Sequence, residues 1–112
     1  MIEKVIYDYL NDVLDVPVSL EVPKNHPARY VVMEKTGSRR ENLITSSTFL
    51  FRSYAPTLFE AASLNEEVKA ALDNAIVLDD IARAKLNSDY NYTDTSKKLY
   101  RYQCVYDFTH YE

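Results

Sequence analysis

The sequence predicts an α+β fold: a mostly antiparallel β-sheet with two flanking helices, in the order αβββαββ. Three observations carry this. Residues 99–109 alternate strictly, with Tyr100, Tyr102, Cys104, Tyr106, Phe108 and His110 on one side of an extended strand and Leu99, Arg101, Gln103, Val105, Asp107 and Thr109 on the other. Successive strand side chains point to opposite faces, and aromatic and β-branched residues favour strands. At the other end of the chain Ile2, Val5, Ile6, Tyr9, Leu10, Val13 and Leu14 recur at helical spacing, with Glu3, Lys4, Asp8, Asn11 and Asp12 opposite. Between them, two runs rich in Val, Ile, Thr and Phe flank a glycine-containing segment, which reads as a β-hairpin.

In chain order, the first helix covers residues 2–14 and Pro17 ends it. Residues 18–22 alternate between Pro17 and Pro23 and suit an edge strand, where proline is tolerated. After the loop 23–27, residues 29–36 form a strand, Gly37-Ser38-Arg39-Arg40 the turn, and residues 42–54 the returning strand. A second helix covers 56–75. Pro56 fits its first turn, where a missing N–H costs nothing. Thr57 with Glu60 and Ser63 with Glu66 are both capping-box spacings. Leu58, Ala61, Ala62, Val68, Leu72, Ala75 and Ile76 form its buried side. Residues 82–87 are a short strand, 88–96 a polar turn, and 97–110 the last strand. The whole chain, 1–112, is one domain without internal repeats.

Composition narrows the function classes. A chain of 112 residues buries a real core without disulfides or metals. It has one glycine, where average usage of about 7% would give roughly eight. Phosphate-cradling and dinucleotide loops need several glycines and are excluded. A net charge of −4 argues against specific nucleic-acid binding, which needs a basic face. The single Cys104 allows no intrachain disulfide and suits a reducing cytosol. The start MIEKVIYDYL lacks the apolar core of a signal peptide, and no apolar run is long enough to span a membrane. The chain is therefore expected in the cytoplasm, away from membranes.

No catalytic constellation emerges, so the chain is expected not to be an enzyme, with no cofactor and no metal. His26 lies in a loop and His110 near the chain end; neither has ligand spacing. Cys104 falls on the aromatic face of the last strand, which points to an inert buried thiol rather than a nucleophile. Asp79, Asp80, Asp89, Asp94 and Asp107 could cluster. The Asp89–Asp94 stretch is only loosely like a calcium loop, lacking its Gly and terminal Glu, and reads better as turn chemistry. The candidate site is instead an interface. Arg39 and Arg40 lie at the expected hairpin tip, and Tyr90 and Tyr92 in the expected polar turn, with Tyr111 at the end. Tyr is enriched where proteins meet, because a rigid amphipathic ring gives contact area at low entropic cost. The solvated-loop reading of the arginines and the core-packing reading of the tyrosines stand beside this one.

Three stretches resemble small proteins of the head-to-tail region of tailed phages and prophages of Gram-positive bacteria: SLEVPKNHPARYVVMEKTGS (19–38), RSYAPTLFEAASLNEEVKAAL (52–72) and KLNSDYNYTDTSKKLYRYQCVYDFTHY (85–111). The most telling pieces are Glu34-Lys35-Thr36-Gly37, Ser53-Tyr54-Ala55 and Ser88-Asp89-Tyr90-Asn91-Tyr92. The chain looks like the tail-terminator or tail-completion proteins of long, non-contractile tails. The resemblance implies a ring, typically a hexamer, that caps the tail tube, stops its polymerisation and meets the head connector. Its partners are then the chain itself, the tail-tube protein and a head connector or neck protein, first in the host cytoplasm and afterwards in the virion. A ring needs heterologous contacts, which exposed sheet edges and hairpins supply. The candidates are residues 18–22, 38–41 and 88–96. The alternative readings are a head-side neck or stopper protein of the same joint, and a small cytosolic ligand-binding domain.

Overall fold

In the computed structural model, which describes residues 1–111, helix α1 (Ile2–Val13) is followed by strands β1 (Val18–Ser19), β2 (Tyr30–Glu41) and β3 (Ile44–Tyr54). Helix α2 (Leu58–Asp73), a 3-10 turn (Ala75–Val77), β4 (Ile81–Asn91) and β5 (Arg101–His110) complete the chain. The strands form one five-stranded sheet in the order β1-β2-β3-β5-β4. β1 runs parallel to β2, and every other pair is antiparallel. The α+β class and the element order thus follow the sequence reading.

Both helices cover one face of the sheet. Ile2, Ile6 and Leu10, at a spacing of four, are the buried stripe of α1, and they meet Leu64, Val68 and Leu72 of α2. Under them lie Phe49 and Phe51 of β3 and Cys104, Tyr106 and Phe108 of β5, all fully buried. The rings of Phe49, Phe51, Tyr106 and Phe108 meet mostly edge to face at centroid separations near 6 Å, the geometry that the ring quadrupole favours. Removing one such ring would cost about 3–5 kcal/mol. Tyr9 Oη donates to the Ala71 carbonyl at 2.7 Å and so locks the two helices together. Lys69 of α2 pairs with Asp89, and Asn65 donates to the same carboxylate at 2.7 Å, fastening α2 to β4.

The edge strand at 18–22 is shorter than expected. Asn11 caps its outer edge: its side-chain amide accepts from Val18 N–H at 2.9 Å and donates to the Val18 carbonyl at 3.1 Å. One side chain thus fills the backbone groups that a further strand would take. Beyond Ser19 the chain turns, with Ser19 Oγ donating to the Glu21 carbonyl at 3.0 Å. β1 therefore covers β2 only at Val31 and Val32.

The hairpin needs a larger correction. The segment Gly37-Ser38-Arg39-Arg40 is strand, not turn, and pairs with residues 45–48. Reversal occurs at Asn42 and Leu43, whose φ values are 52° and 70°, while Glu41 pairs with Ile44. A two-residue loop with both φ values positive matches the twist of the flanking strands. Asn tolerates that conformation, but Leu does so at a cost of about 1–2 kcal/mol, because its Cβ crowds the following carbonyl. The glycine that drew attention in the sequence follows a bulge instead: Lys35 pairs with Phe49 and Gly37 with Thr48, leaving Thr36 over. Its φ is not positive, and a Cβ there would meet nothing within 4 Å.

Other boundaries shift too. Pro56 precedes the N-cap, Thr57, whose Oγ1 accepts from Glu60 N–H at 3.2 Å; the Ser63–Glu66 spacing lies inside one unbroken helix. Leu58 and Ile76 are exposed, and Leu64 and Asn65 take the buried positions instead. β4 extends through Asn91, so residues 88–91 are strand; the connection to β5 is as long as the predicted turn but shifted four residues on, and the last strand begins at Arg101 rather than at residue 97. Among the described residues, no helix is long and apolar enough to cross a membrane.

Candidate interaction surface

The second face of the sheet carries no helix. On β3 it presents Ser46, Thr48, Leu50, Arg52 and Tyr54, which alternate with the buried Phe49 and Phe51. Tyr90 of β4 and Tyr92 just beyond it belong to this face. Both are about two-fifths exposed, and their rings meet edge to face at 6.2 Å. They are therefore not turn residues but the rim of an aromatic–arginine network. The Arg101 guanidinium lies 4.5 Å from the Tyr92 ring centroid, and that of Arg52 lies 5.6 Å away. Gln103 ties the parts together: its carbonyl accepts from Arg52 Nε at 2.9 Å and its amide donates to Tyr90 Oη. Arg101 Nε donates to the Tyr92 carbonyl at 2.7 Å, and Arg52 reaches Glu34 at 3.7 Å. Farther along, Tyr30 stacks on Tyr54 at 4.5 Å, and the His26 ring lies 4.2 Å from Tyr30. Flat cations sandwiched by tyrosines have the composition found at the centre of protein interfaces.

Arg39 and Arg40 stand one step below the hairpin tip, opposite Ser46 and Thr45. Strand alternation sends Arg39 to the helix-free face and Arg40 to the other. Residues 34–43 are exposed throughout, so this half of β2 is an exposed arm along the sheet edge; Lys35 reaches Glu3 of α1 at 3.1 Å, and the facing residues of β3 stay paired with β5. Arg39 borders an open depression of about 460 Å³ that also includes Gly37, Ser46, Thr48 and Asp107. Thr48 Oγ1 donates to one oxygen of Asp107 at 2.6 Å, and the Asn87 side-chain amide donates to the other at 2.9 Å. The Thr48 bond, with further help from Asn87 and the nearby Lys85 and Arg39 charges, holds the Asp107 carboxyl below its usual range. The tip itself, Leu43 and Ile44, is apolar and exposed. Sequence reading passed over it, because an apolar pair between polar strands carries no motif. The positive φ of Leu43 is invisible without coordinates.

The remaining candidates are dispersed. The five aspartates do not converge: Asp89 faces α2, Asp107 the opposite sheet face, and Asp94 folds its own turn by accepting from Ser96 and Lys97. The Ser96 hydroxyl is the main reason that the Asp94 carboxyl sits below its ordinary pKa. Among the described residues, no group of three His, Cys, Asp or Glu is placed to hold a metal. His26 is exposed, its Nδ1 3.0 Å from the Pro27 carbonyl. His110 is buried, with Nε2 2.8 Å from Ser47 Oγ. Each of these two residues is only 1% exposed, so a substrate has no path to that hydroxyl. Cys104 is also buried, and desolvation is the main reason its thiol is pushed up to about 12. At neutral pH it is a thiol, not the thiolate a nucleophile needs. Tyr111, next to the chain end, is 62% exposed, and its N–H donates to the Asp80 carbonyl at 3.0 Å.

No protein-family model matches the chain, and no curated protein sequence matches it either.

Proposed function

We propose that this chain is a non-catalytic virion assembly protein, the tail terminator that closes a long phage tail tube as a ring, in the form of a hexamer, and joins it to the head connector. It acts in the host cytoplasm during assembly and then resides at the head–tail junction. The observation that carries this reading is the arm of residues 34–43, exposed throughout, in a sheet where β4 and the outer half of β2 keep free edges. Among the described residues, β4 is paired only on its β5 side, and β2 only on its β3 side beyond Val32. Pairing directions make β4 antiparallel to β2. Copies that set β4 of one beside β2 of the next with a common strand direction therefore pair in the antiparallel sense, the better of the two pairings. A heterologous contact of this kind closes into a ring when its rotation divides a full turn. The tyrosine–arginine network on the helix-free face offers a second surface, suited to the tail tube or the connector. The resemblance of residues 19–38, 52–72 and 85–111 supplies the phage setting.

The test is electron microscopy of lysates from a prophage lacking this gene. Overlong, headless tails beside filled heads are the expected result. Tails of normal length, unattached to heads, would move the protein to the head side of the joint as a neck or stopper protein. Intact virions would end the assembly reading. A gene position just before that of the major tail protein would support the terminator role at little effort.

A further inference from the structure

We propose that the apolar tip of the β2–β3 hairpin seats, head to tail, in the groove between α1 and residues 19–21 of a second copy of this chain; the proposal rests on the assembly reading and gives it a contact. Leu43 is 78% exposed and Ile44 50%. Leu43 also holds a φ of 70°. A two-residue loop of this geometry favours glycine at that position, and solvent favours a polar side chain. Leu43 violates both preferences at once. Strain of this kind, kept at an exposed tip, points to a use for the side chain outside its own chain. Its exposure also shows that it does not occupy its own groove.

The groove fits what the tip offers. It has a volume of about 510 Å³, and Met1, Tyr7 and Leu20 form its apolar lining. Leu20 is 54% exposed because the chain leaves the sheet after Ser19. The charges complement each other. Arg39 and Arg40 stand at the foot of the tip, while Glu3, Asp8 and Glu21 line the groove with Lys4, which pairs with Asp8 at 2.8 Å, so acids outnumber the base there. Glu41, beside the tip, faces a rim that also holds Lys4. Opposite charges around an apolar anchor orient the encounter and disfavour tip-to-tip pairing. Tip and groove are different surfaces, so each copy both gives and receives, and the contact propagates from copy to copy.

The experiment is oxidative cross-linking of the full-length chain carrying Leu43→Cys with Leu20→Cys, read on non-reducing gels. The native Cys104 is buried and stays out of the reaction. The double variant should give a ladder of cross-linked species, and a mixture of the two single variants a dimer, while each single variant alone, with no thiol opposite its own, stays largely monomeric. A double variant that stops at the dimer, or single variants that each cross-link as readily as their mixture, overturns the head-to-tail contact. So does the absence of cross-links, whether or not the unmodified chain associates; the assembly reading is then decided separately by the gene deletion. Leu43→Gly gives an independent readout. It should leave the melting temperature equal or higher, because it relieves the left-handed strain, and weaken self-association at least tenfold. Unchanged self-association overturns the proposal.

Discussion

Two buried side chains on one strand, Cys104 and Tyr106, tie this fold to its protonation state. Both are fully buried on the helix-covered face. Desolvation comes first in raising the Cys104 thiol from 9.0 to about 12. Desolvation also raises Tyr106, together with the 2.7 Å hydrogen bond that its hydroxyl donates to Asp73. In both cases the folded chain holds its proton to higher pH than the unfolded chain does. The stability they contribute is therefore complete below pH 9 and declines as pH rises, because the unfolded state releases protons first. Cys104 acts from pH 9 upward to about 12, and Tyr106 adds to it above its ordinary value of 10.0. Each group should contribute a slope of about 1 kcal/mol per pH unit within its window. Urea titrations between pH 7 and 11 should show the decline. Cys104→Ala should flatten it between pH 9 and 10, despite a lower stability at pH 7 from the cavity it leaves. An identical slope in that variant would show that Cys104 is not the source.

At the scale of elements, β5 decides whether the chain folds. It lies between β3 and β4 and pairs along its length with both, although it is last in sequence. It also supplies Cys104, Tyr106 and Phe108 to the core. A chain ending after Asp94 loses the centre of the sheet rather than an edge, and circular dichroism should find it unfolded; a cooperative, folded truncation would contradict that role. β5 was also the element most legible in the sequence, because the alternation of residues 99–109 encodes burial directly. The same held for α1, whose stripe repeats cleanly. The hairpin was less legible. Gly37 attracted the turn assignment through its residue type, but its backbone needs no glycine, while the real turn uses Leu43 against propensity. The length of β4 was hidden because residues 88–91 are polar and turn-like in composition, and only pairing with β5 makes them strand. Of the candidate site, the choice of Arg39, Arg40, Tyr90 and Tyr92 could be read from residue type. That Tyr92 lies against Arg52 and Arg101, far away in sequence, could not.

For the whole molecule, the separation between what folds the chain and what the chain touches becomes a prediction about Arg39 and Arg40. The core lies between the helices and the inner halves of β2, β3 and β5, and every residue of β2 from Glu34 onward is exposed. The arm can therefore change charge without disturbing the core. Among the described residues the Arg40 side chain makes no hydrogen bond or ion pair, so Arg40→Glu should alter stability by less than about 0.5 kcal/mol. Arg39→Glu removes a cation that helps hold Asp107 ionised and places a carboxylate near it, so its effect should be slightly larger, still under about 1 kcal/mol at this exposed position. The double reversal should thus melt close to the unmodified chain. Under the proposed contact it should behave quite differently in assembly, since copies would then present acid to a groove where Glu3, Asp8 and Glu21 outnumber Lys4. Complementation of the gene deletion by the double variant should fail or fall sharply, and raising the salt concentration in assembly carried out with purified components should partly restore it, because screening weakens the introduced repulsion. A variant that melts normally and assembles normally at low salt would remove the arm from the interface. A variant that fails at every salt concentration while melting normally would mean that the arginines make specific hydrogen bonds rather than supply charge.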